Sequence, residues 1–368
     1  MNFAFSQDQE MIRDSAKRLL SDLSPLSAVH KILDSDATYD EKLWSQMAEA
    51  GWPSMAIPEE FGGAGMGYLE LAVLAEEMGK ALACSPFDSS IFMAAEVIKA
   101  AGSEEQKKKY LSRIASGESI ATVALSEKGR LDQGGIQLKA DGNKLTGVKV
   151  PVADGLSADL GIVAARSAEG VSLYAVDLRS AQVSRELVQS MDRARKQARL
   201  TFNGAEGELL GVAGKGWEYL DDMLYKAAAL IAFEQVGGAQ SALEMATNYA
   251  KERYAFGRPI GSFQAIKHRI ADMFVKVEMA RSSAYYAAWA LEHSPENVRQ
   301  AASSARVMGI DAYRFAAEEN VQIHGGIGFT WEADPHLHMK RAKHLESVLG
   351  GSMMWRERLM QCLEQAAA

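Results

Sequence analysis

The pattern of apolar residues changes twice along the sequence, near residues 119 and 214, and these two changes constrain the fold more than any other feature. Residues 1–118 carry apolar side chains at helical spacing, as do residues 214–368. Residues 119–213 instead carry short β-branched or alternating runs separated by Gly, Asp and Ser. We therefore predict an α+β multidomain protein with an N-terminal α-helical domain, a central antiparallel β-sandwich or barrel, and a C-terminal four-helix bundle.

Helices are predicted throughout the first domain. Ser6 is the expected N-cap of the first helix, because its hydroxyl can accept a hydrogen bond from a free backbone N–H. The glycines of the connection at residues 57–65 do not form a phosphate-binding loop, since no Gly-Lys-Ser/Thr ending follows and no strand precedes them. The predicted helices are Gln7–Leu23, Tyr39–Ala50, Tyr68–Ala83, Ser89–Ala101 and Glu104–Ser116.

Six strands and a bundle of long helices are predicted for the rest of the chain. The strands are Ser119–Leu125, Ile136–Ala140, Lys144–Val150, Asp159–Ala165, Val171–Val176 and Ala198–Phe202. The bundle helices are Trp217–Lys251, Gln264–His293, Asn297–Ile323, Asp334–Ser347 and a last helix to Gln365. Short breaks between long helices are typical of an up-and-down bundle.

Composition excludes several classes of protein. The net charge of -8 over 368 residues, without a basic run, argues against a nucleic-acid surface. No apolar run approaches the roughly 20 residues that a membrane-spanning helix needs. The N-terminal residues lack the features of a signal peptide, and Cys84 and Cys362 are far apart in sequence. We expect a cytoplasmic protein with neither a disulfide framework nor a metal site.

The segment at residues 252–273 predicts a helix that stops, turns and starts again. Gly257, Pro259 and Gly261 break the helical pattern, because glycine permits turn dihedrals and proline lacks the N–H that a helix interior needs. Ser262 is the expected N-cap of the next helix. Arg253 is left at the corner, where a cation and free N–H groups could meet an anion, although a single Arg at a helix end is ordinarily a solvated charge.

This segment resembles the acyl-CoA dehydrogenase family, whose pattern is Arg-x-x-Phe-Gly-x-Pro-Ile, Phe-Gln and Ala-Asp-Met. The matching residues are Arg253, Phe256, Gly257, Pro259, Ile260, Phe263, Gln264, Ala271, Asp272 and Met273. The resemblance implies that Arg253 and Gln264 reach the pyrophosphate and adenosine side of an FAD held mainly by a neighbouring subunit. The order of helices, strands and bundle is similar to that family over essentially the whole chain.

A second motif follows the third bundle helix. Gly325 and Gly326 have no Cβ, so a ligand can lie against the backbone there, and the amide of Gln322 can bind a hydroxyl, phosphate or adenine edge. The alternative is an ordinary glycine C-cap. The motif resembles the family's Gln-x-x-Gly-Gly-x-Gly loop, which implies that it cradles the adenosine half of FAD. His324 is interpreted as structural, because nothing nearby completes a metal ligand set.

The family's catalytic base is missing from both positions where the resemblance implies it. Removal of a proton next to a thioester needs a positioned carboxylate. Most members carry this Glu in Tyr-Glu-Gly-Thr, and the corresponding position here is Leu349, or Gly350 if one gap is allowed. Other members carry the base on the first bundle helix, where this chain has Ala227.

The segments that would hold the flavin ring also depart from the family pattern. Leu-Thr-Glu-Pro appears here as residues 125–128, Leu-Ser-Glu-Lys. Trp-Ile-Thr-Asn appears as residues 151–154, so that Pro151 replaces the aromatic ring and Ala153 the hydroxyl. The sequence therefore keeps the motifs for the adenosine half of an FAD site and departs from the family pattern in the segments for the flavin-ring half.

Three hypotheses follow from this asymmetry. In the first, the chain is the non-catalytic subunit of a heteromeric acyl-CoA dehydrogenase and resembles the two-gene enzymes that act on steroid side-chain CoA thioesters. It would complete a homologous partner's FAD site in an α2β2 assembly that passes electrons to an electron-transfer flavoprotein. In the second, the enzyme is self-sufficient and uses Glu346 or Glu234 as a relocated base. In the third, the chain is a flavin-free scaffold that binds a partner or an acyl-CoA.

Overall fold

The computed structural model of the protein describes residues 5–367. The chain forms two compact units. One comprises the residues up to 29 together with 68–83 and 228–368, and the other comprises 30–67 and 84–227. Within the described residues, no helix combines the length and the apolar character needed to cross a membrane.

Eleven α-helices form within the described residues. Helix α1 begins as predicted: the Ser6 hydroxyl accepts from the N–H of Gln9, and the Gln9 side chain accepts from the N–H of Ser6. Their bounds are α1 Gln7–Leu23, α2 Leu26–Leu33, α3 Glu41–Glu49, α4 Tyr68–Lys80, α5 Glu96–Ala101, α6 Glu104–Ala115, α7 Gly216–Glu252, α8 Gln264–His293, α9 Val298–His324, α10 Pro335–Ser347 and α11 Ser352–Ala367.

Two helical details differ from the prediction. Helix α2 was not predicted, because it spans only eight residues after Pro25 and forms little more than two turns. The helix predicted from Ser89 begins instead as a π-helix over Asp88–Ala95 and continues as α5. This π-helical segment is entirely buried, and Ser90 within it is hydrogen-bonded to both the N–H and the carbonyl of Ala121.

The helical unit is built around α9, which packs against α8, α10 and α11. Helix α4 crosses α7 at two glycines. A Cβ on Gly79 would lie 2.0 Å from the carbonyl oxygen of Glu234, and a Cβ on Gly237 would lie 1.9 Å from that of Glu76. Only glycine allows the two backbones to approach this closely.

The strands of the second unit close into a barrel. The seven strands are β1 Ala121–Ala124, β2 Lys139–Asp141, β3 Lys144–Ala153, β4 Leu160–Ser167, β5 Gly170–Asp177, β6 Val183–Val188 and β7 Gln197–Leu210. Neighbouring strands follow the order β4-β2-β3-β7-β5, and β5 pairs again with β4. Most pairings are antiparallel, as predicted, but β1 and β2 each pair with β4 in parallel. The predicted order of helices, barrel and helical bundle is confirmed.

Strand β6 was missed because its sequence gives a weak signal. Val183 is buried, but the side chains from Ser184 to Val188 are exposed or partly exposed. The strand pairs only with β7, so it lies at an edge of the sheet. An edge strand with one buried residue does not show the alternation from which strands are recognised.

Candidate functional site

Arg253 lies at the corner between α7 and α8, immediately after the last residue of α7. A two-stranded hairpin follows, in which Tyr254–Ala255 pairs with Arg258–Pro259. The turn residues Phe256 and Gly257 both have positive φ, +54° and +77°, as a tight hairpin turn requires. Arg253 is exposed and has no carboxylate within 4 Å among the described residues.

The glycine loop follows the C-terminal end of α9. Gly325 has φ +66° and is the first residue of a 3₁₀ turn over Gly325–Phe329. A Cβ on Gly325 or Gly326 would have no atom within 4 Å, so both glycines border open space. At these two glycines the loop therefore exposes backbone without a side chain.

The structure brings Arg253, Gly325 and Gly326 together in one pocket of about 380 Å³, which we call the Arg253 pocket. Among the described residues that line it, Arg253 is the only one with a charged side chain, so its electrostatic character is positive. The complete lining is Tyr249, Arg253, Ile260, Ile323, His324, Gly325, Gly326 and Ile327.

Two aromatic rings line this pocket and were not predicted as site residues. Tyr249 and His324 stack with their ring centroids 4.0 Å apart and their planes inclined by 23°. The Nδ1 of His324 donates to the carbonyl of Asn320 over 2.8 Å. Burial lowers the pKa of His324 below its ordinary value, although this hydrogen bond opposes the shift. The sequence feature that could have identified Tyr249 as a site residue was its spacing, because it lies one helical turn before Arg253.

Three other predicted site residues lie outside the lining of the Arg253 pocket. Gln264 is the exposed first residue of α8, and Gln322 is exposed on the last turn of α9. Phe256 is 94% exposed and contacts Phe263 edge to face, with centroids 6.2 Å apart. Gln322 lies on α9, which supplies Ile323 and His324 to the pocket, whereas α8 and the hairpin turn supply none of its lining.

The prediction that Ser262 caps α8 is wrong. The N-cap of α8 is Phe263, which has no capping side chain, and the Ser262 hydroxyl donates instead to the carbonyl of Pro259. A 3₁₀ turn over Ile260–Ser262 places this hydroxyl against the preceding backbone rather than against the first turn of α8.

The positions where the family pattern implies a catalytic base carry no ionisable group. Ala227 is fully buried in α7. Leu349 is 3% exposed, and its carbonyl accepts from the indole N–H of the fully buried Trp355 over 2.9 Å. Gly350 has φ +88°, a conformation that side-chain-bearing residues rarely adopt.

The two carboxylates considered as relocated bases are both held by cations. Glu346 is 3.3 Å from Lys343 and 3.8 Å from Arg314. Glu234 is 1% exposed and lies 3.8 Å from Arg341. Its charge also favours the protonated form of Arg306, a fully buried residue whose pKa burial lowers to about 9. Glu234 and Arg341 form a buried ion pair that links α7 to α10.

Three polar side chains of the segments at residues 125–128 and 151–154 have partners within the protein. The Ser126 hydroxyl donates to the carbonyl of Val150, and Glu127 lies 2.6 Å from the buried Lys149. Asp154 accepts from the Ser89 hydroxyl over 2.7 Å. Pro151 is exposed and has no side-chain donor. These segments do not fit the flavin ring in the way that the family pattern implies.

Comparison with known families identifies the class of protein that this fold and site define. The family described as acyl-CoA dehydrogenase, N-terminal domain, matches residues 6–118. The family described as acyl-CoA dehydrogenase, C-terminal domain, matches residues 214–363. The chain therefore belongs to the acyl-CoA dehydrogenase family, a family of FAD-dependent oxidoreductases, as its motifs predicted.

Particular relatives are similar over nearly the full length. The acyl-CoA dehydrogenase IpdE2 of Mycobacterium tuberculosis is 34% identical over 341 residues, which cover 91% of each chain. Among solved structures, the Tcur3481–Tcur3483 steroid ACAD is 29% identical with a TM-score of 0.89 and covers 98% of this chain and 99% of its own. The ChsE4–ChsE5 complex from Mycobacterium tuberculosis is 26% identical with a TM-score of 0.89 and covers 99% of each chain.

Proposed function

We propose that this chain is the non-catalytic subunit of an FAD-dependent acyl-CoA dehydrogenase and completes the FAD site of a homologous partner chain. The observation that carries the proposal is the Arg253 pocket, in which Arg253, Gly325 and Gly326 meet without a catalytic carboxylate. Two relatives, the Tcur3481–Tcur3483 steroid ACAD and the ChsE4–ChsE5 complex, are each named for two chains, which supports a heteromeric assembly.

The groups around the pocket fit the adenosine and pyrophosphate half of FAD. The Arg253 guanidinium can donate charge-assisted hydrogen bonds to phosphate oxygens. The C-terminal end of α9 directs backbone carbonyls toward the loop at Gly325, which suits the amino and hydroxyl donors of an adenosine. Gly325 and Gly326 leave room for the ligand to lie against the backbone.

The surface around the pocket supports a partner chain that covers it. Five large apolar side chains in the two segments that border the pocket are exposed, and apolar side chains grouped in this way mark interaction sites. They are Tyr254 at 63%, Phe256 at 94%, Ile327 at 44%, Phe329 at 76% and Trp331 at 58%. Phe256 is also held at φ +54°, a costly conformation for a bulky residue and one that occurs at functional sites.

The class of reaction follows from the family. The residues of this chain indicate which parts of the site it supplies and which parts the partner supplies. FAD, when bound, accepts the hydride removed from the β-carbon of the acyl-CoA. In this chain, Arg253, Gly325 and Gly326 would hold the cofactor's adenosine half, and the exposed Gln264, Gln322 and Phe256, outside the pocket lining, would add contacts from the surface. The partner supplies the base and the flavin-ring pocket, because this chain has Leu349 and Ala227 at the two base positions.

The substrate class rests on similarity alone. The similarity to the Tcur3481–Tcur3483 steroid ACAD supports a steroid side-chain CoA thioester as the substrate. An α2β2 stoichiometry, an electron-transfer flavoprotein as acceptor and a cytoplasmic location belong to the same proposal. No observation favours a relocated base, since Glu234 and Glu346 are both paired with cations.

The test is FAD content after co-expression with the protein of any adjacent dehydrogenase-like gene. Arg253→Gln should weaken FAD binding about tenfold or more, because a charge-assisted hydrogen bond contributes roughly 1.5–3 kcal/mol. Arg258→Gln is the matched control, since Arg258 is exposed five residues away and stacks on Phe263 outside the pocket. Full FAD content and turnover in the isolated chain would contradict the proposal. A colourless complex would favour a flavin-free scaffold.

A further inference from the structure

Arg306 on α9 is fully buried and has one hydrogen-bond partner among the described residues. Its Nη2 donates to the carbonyl of Leu345, near the C-terminal end of α10. Its Nε and Nη1 have no hydrogen-bond partner within residues 5–367. Buried polar groups are nearly always hydrogen-bonded, so these N–H groups indicate that a bound ion or water completes the site.

A second buried side chain with unused polar atoms lies close to Arg306. Gln235 on α7 is fully buried, and neither atom of its amide is hydrogen-bonded to a described residue. A Cβ on Gly309 would lie 2.8 Å from the Oε1 of Gln235, so the amide lies against α9 at Gly309. Gly309 follows Arg306 by three residues and lies on the same face of α9. We call Arg306, Gln235 and the Leu345 carbonyl the Arg306 site.

The buried charges around the Arg306 site do not balance. Arg306 and Arg341 are both buried, and Glu234 is the only buried carboxylate described beside them. Glu234 lies 3.8 Å from Arg341, whereas no described carboxylate lies within 4 Å of Arg306. Glu346 favours the charged form of Arg306 from a distance, but it is partly exposed and paired with two other cations. His338 adds no charge at neutral pH, because burial lowers its pKa to about 3. One buried positive charge therefore lacks a counter-charge, which is costly.

We propose that the Arg306 site binds a small monovalent anion, such as chloride, inside the helical unit. The guanidinium supplies the opposite charge, and its Nε or Nη1 donates a charge-assisted hydrogen bond to the ion. The amide of Gln235 is not held by another described residue, so it can turn its NH2 group toward the same ion. A monovalent ion balances the single surplus charge.

The close packing of α7 against α9 favours a monatomic ion. A Cβ on Gly309 would lie 3.5 Å from the Cα and from the carbonyl oxygen of Ala232 on α7. A Cβ on Gly238 of α7 would lie 2.4 Å from the ring of Tyr313 on α9. Backbones that approach this closely favour a single atom over a phosphate or sulfate, which needs more space and more donors.

The Arg306 site is separate from the site of the proposed function. It shares no residue with the lining of the Arg253 pocket. Chloride bound there would link α7 to α9 and stabilise the folded chain, and it would not take part in FAD binding. Failure of this proposal would leave the proposed function intact, and the reverse also holds.

The first test is the urea midpoint of the full chain as sodium chloride replaces sodium gluconate at constant ionic strength. For a ligand that binds only the folded state, tenfold more chloride shifts the folding equilibrium toward that state by up to about tenfold. Arg306→Met keeps much of the side-chain volume and should abolish this dependence, and Gln235→Leu should weaken it. Arg314→Met is the matched control and should keep it, because Arg314 lies on the same helix and pairs with Asp311 and Glu346 at the surface.

Bromide provides a second measurement that needs no variant. Crystals of the wild type grown in sodium bromide should show an anomalous scattering peak beside the Nε or Nη1 of Arg306. Water alone at the Arg306 site in those crystals would overturn the proposal. An equal effect of chloride on the wild type and on Arg306→Met would overturn it as well. If Arg306→Met does not fold, the bromide measurement decides by itself.

Discussion

Tyr249 on α7 stacks against His324 on α9 with ring centroids 4.0 Å apart, and this stack joins the two motifs that the sequence presents separately. Tyr249 lies four residues before Arg253, and His324 directly precedes Gly325. The stack therefore fixes the distance between the cation and the glycine loop. Because both rings line the Arg253 pocket, they also form its aromatic wall.

Loss of this stack should weaken FAD binding by the assembled complex without removing any charge. Tyr249→Ala removes the ring and should raise the Kd for FAD severalfold, since aromatic pairs contribute about 0.5–1.5 kcal/mol beyond their burial. Tyr249→Phe keeps the ring and should bind FAD like the wild type. The measurement is a fluorescence titration of the apo complex with FAD. Equal affinity in the Ala and Phe variants would show that the stack has no part in the site.

Glu76 should be one of the most important residues for the stability of the helical unit. Its side chain is 2% exposed and pairs with Arg281, with Lys80 at 3.2 Å and with Arg13 at 3.9 Å. Glu76→Gln leaves these cations without their shared carboxylate and should lower the free energy of unfolding by about 3 kcal/mol. Glu278→Gln, at an exposed ion pair with the same Arg281, should cost below about 1 kcal/mol. Urea denaturation of both variants distinguishes the two effects.

The same carboxylate makes stability depend on acid. Burial would raise the pKa of Glu76, but Lys80, Arg281 and Arg13 together lower it below the ordinary value of 4.5. The contribution of a carboxylate with a lowered pKa is present above that ordinary value and is lost as the pH falls through the folded-state pKa. The wild type should therefore lose more stability than Glu76→Gln as the pH falls below about 4.5, as measured by urea midpoints. Parallel acid profiles would contradict this assignment.

Lys149 should make stability depend on pH in the alkaline range, where stability again rises with pH. Burial lowers its pKa from 10.5 to about 8, although Glu127 opposes the shift. Between these values the unfolded chain binds a proton that the folded chain has released, so stability should rise with pH by up to about 1.4 kcal/mol per unit. Lys149→Met should remove this rise, whereas Lys144→Met, at the exposed start of the same strand, should keep it. A rise that persists in Lys149→Met would show that another group titrates.

Placing a carboxylate at the usual base position should not make this chain an enzyme by itself. Leu349 is 3% exposed, so Leu349→Glu buries an ionisable group and should lower the free energy of unfolding by about 2–4 kcal/mol. The segments at residues 125–128 and 151–154 still lack the flavin-ring contacts, so turnover of acyl-CoA should remain absent. Leu349→Met is the control for the change in packing. Measurable turnover in isolated Leu349→Glu would mean that the rest of an active site is intact.

Local sequence was sufficient for most elements of the chain. Helix α8 begins and ends at the predicted residues, Gln264 and His293, and α1 has both its predicted bounds and its Ser6 cap. These features depend on interactions within one or two helical turns, and such interactions are determined by residues close together in the sequence. The Arg253 and Gly325 motifs were recognised for the same reason, since each is a contiguous run of residues.

Contacts between distant residues could not be predicted in this way. The parallel pairing of β1 with β4 and the closure of the barrel join strands whose order no local pattern encodes. The cap predicted at Ser262 failed because a 3₁₀ turn directs its hydroxyl to Pro259. The burial of Glu234 beside Arg341 could not be predicted, because its sequence context is that of an ordinary helical glutamate.

The sequence by itself determined the family, the order of helices and strands, and the absence of a carboxylate at Leu349 and Ala227. Only the tertiary structure decided that Arg253 shares a pocket with Gly325 and Gly326, which lie more than seventy residues further along the chain. It also added Tyr249 and His324 to that pocket and left Gln264, Gln322 and Phe256 outside its lining. The physical reason is that residue types and local spacing are properties of the chain, whereas a pocket is formed by the packing of α7 against α9, and that packing depends on the whole bundle.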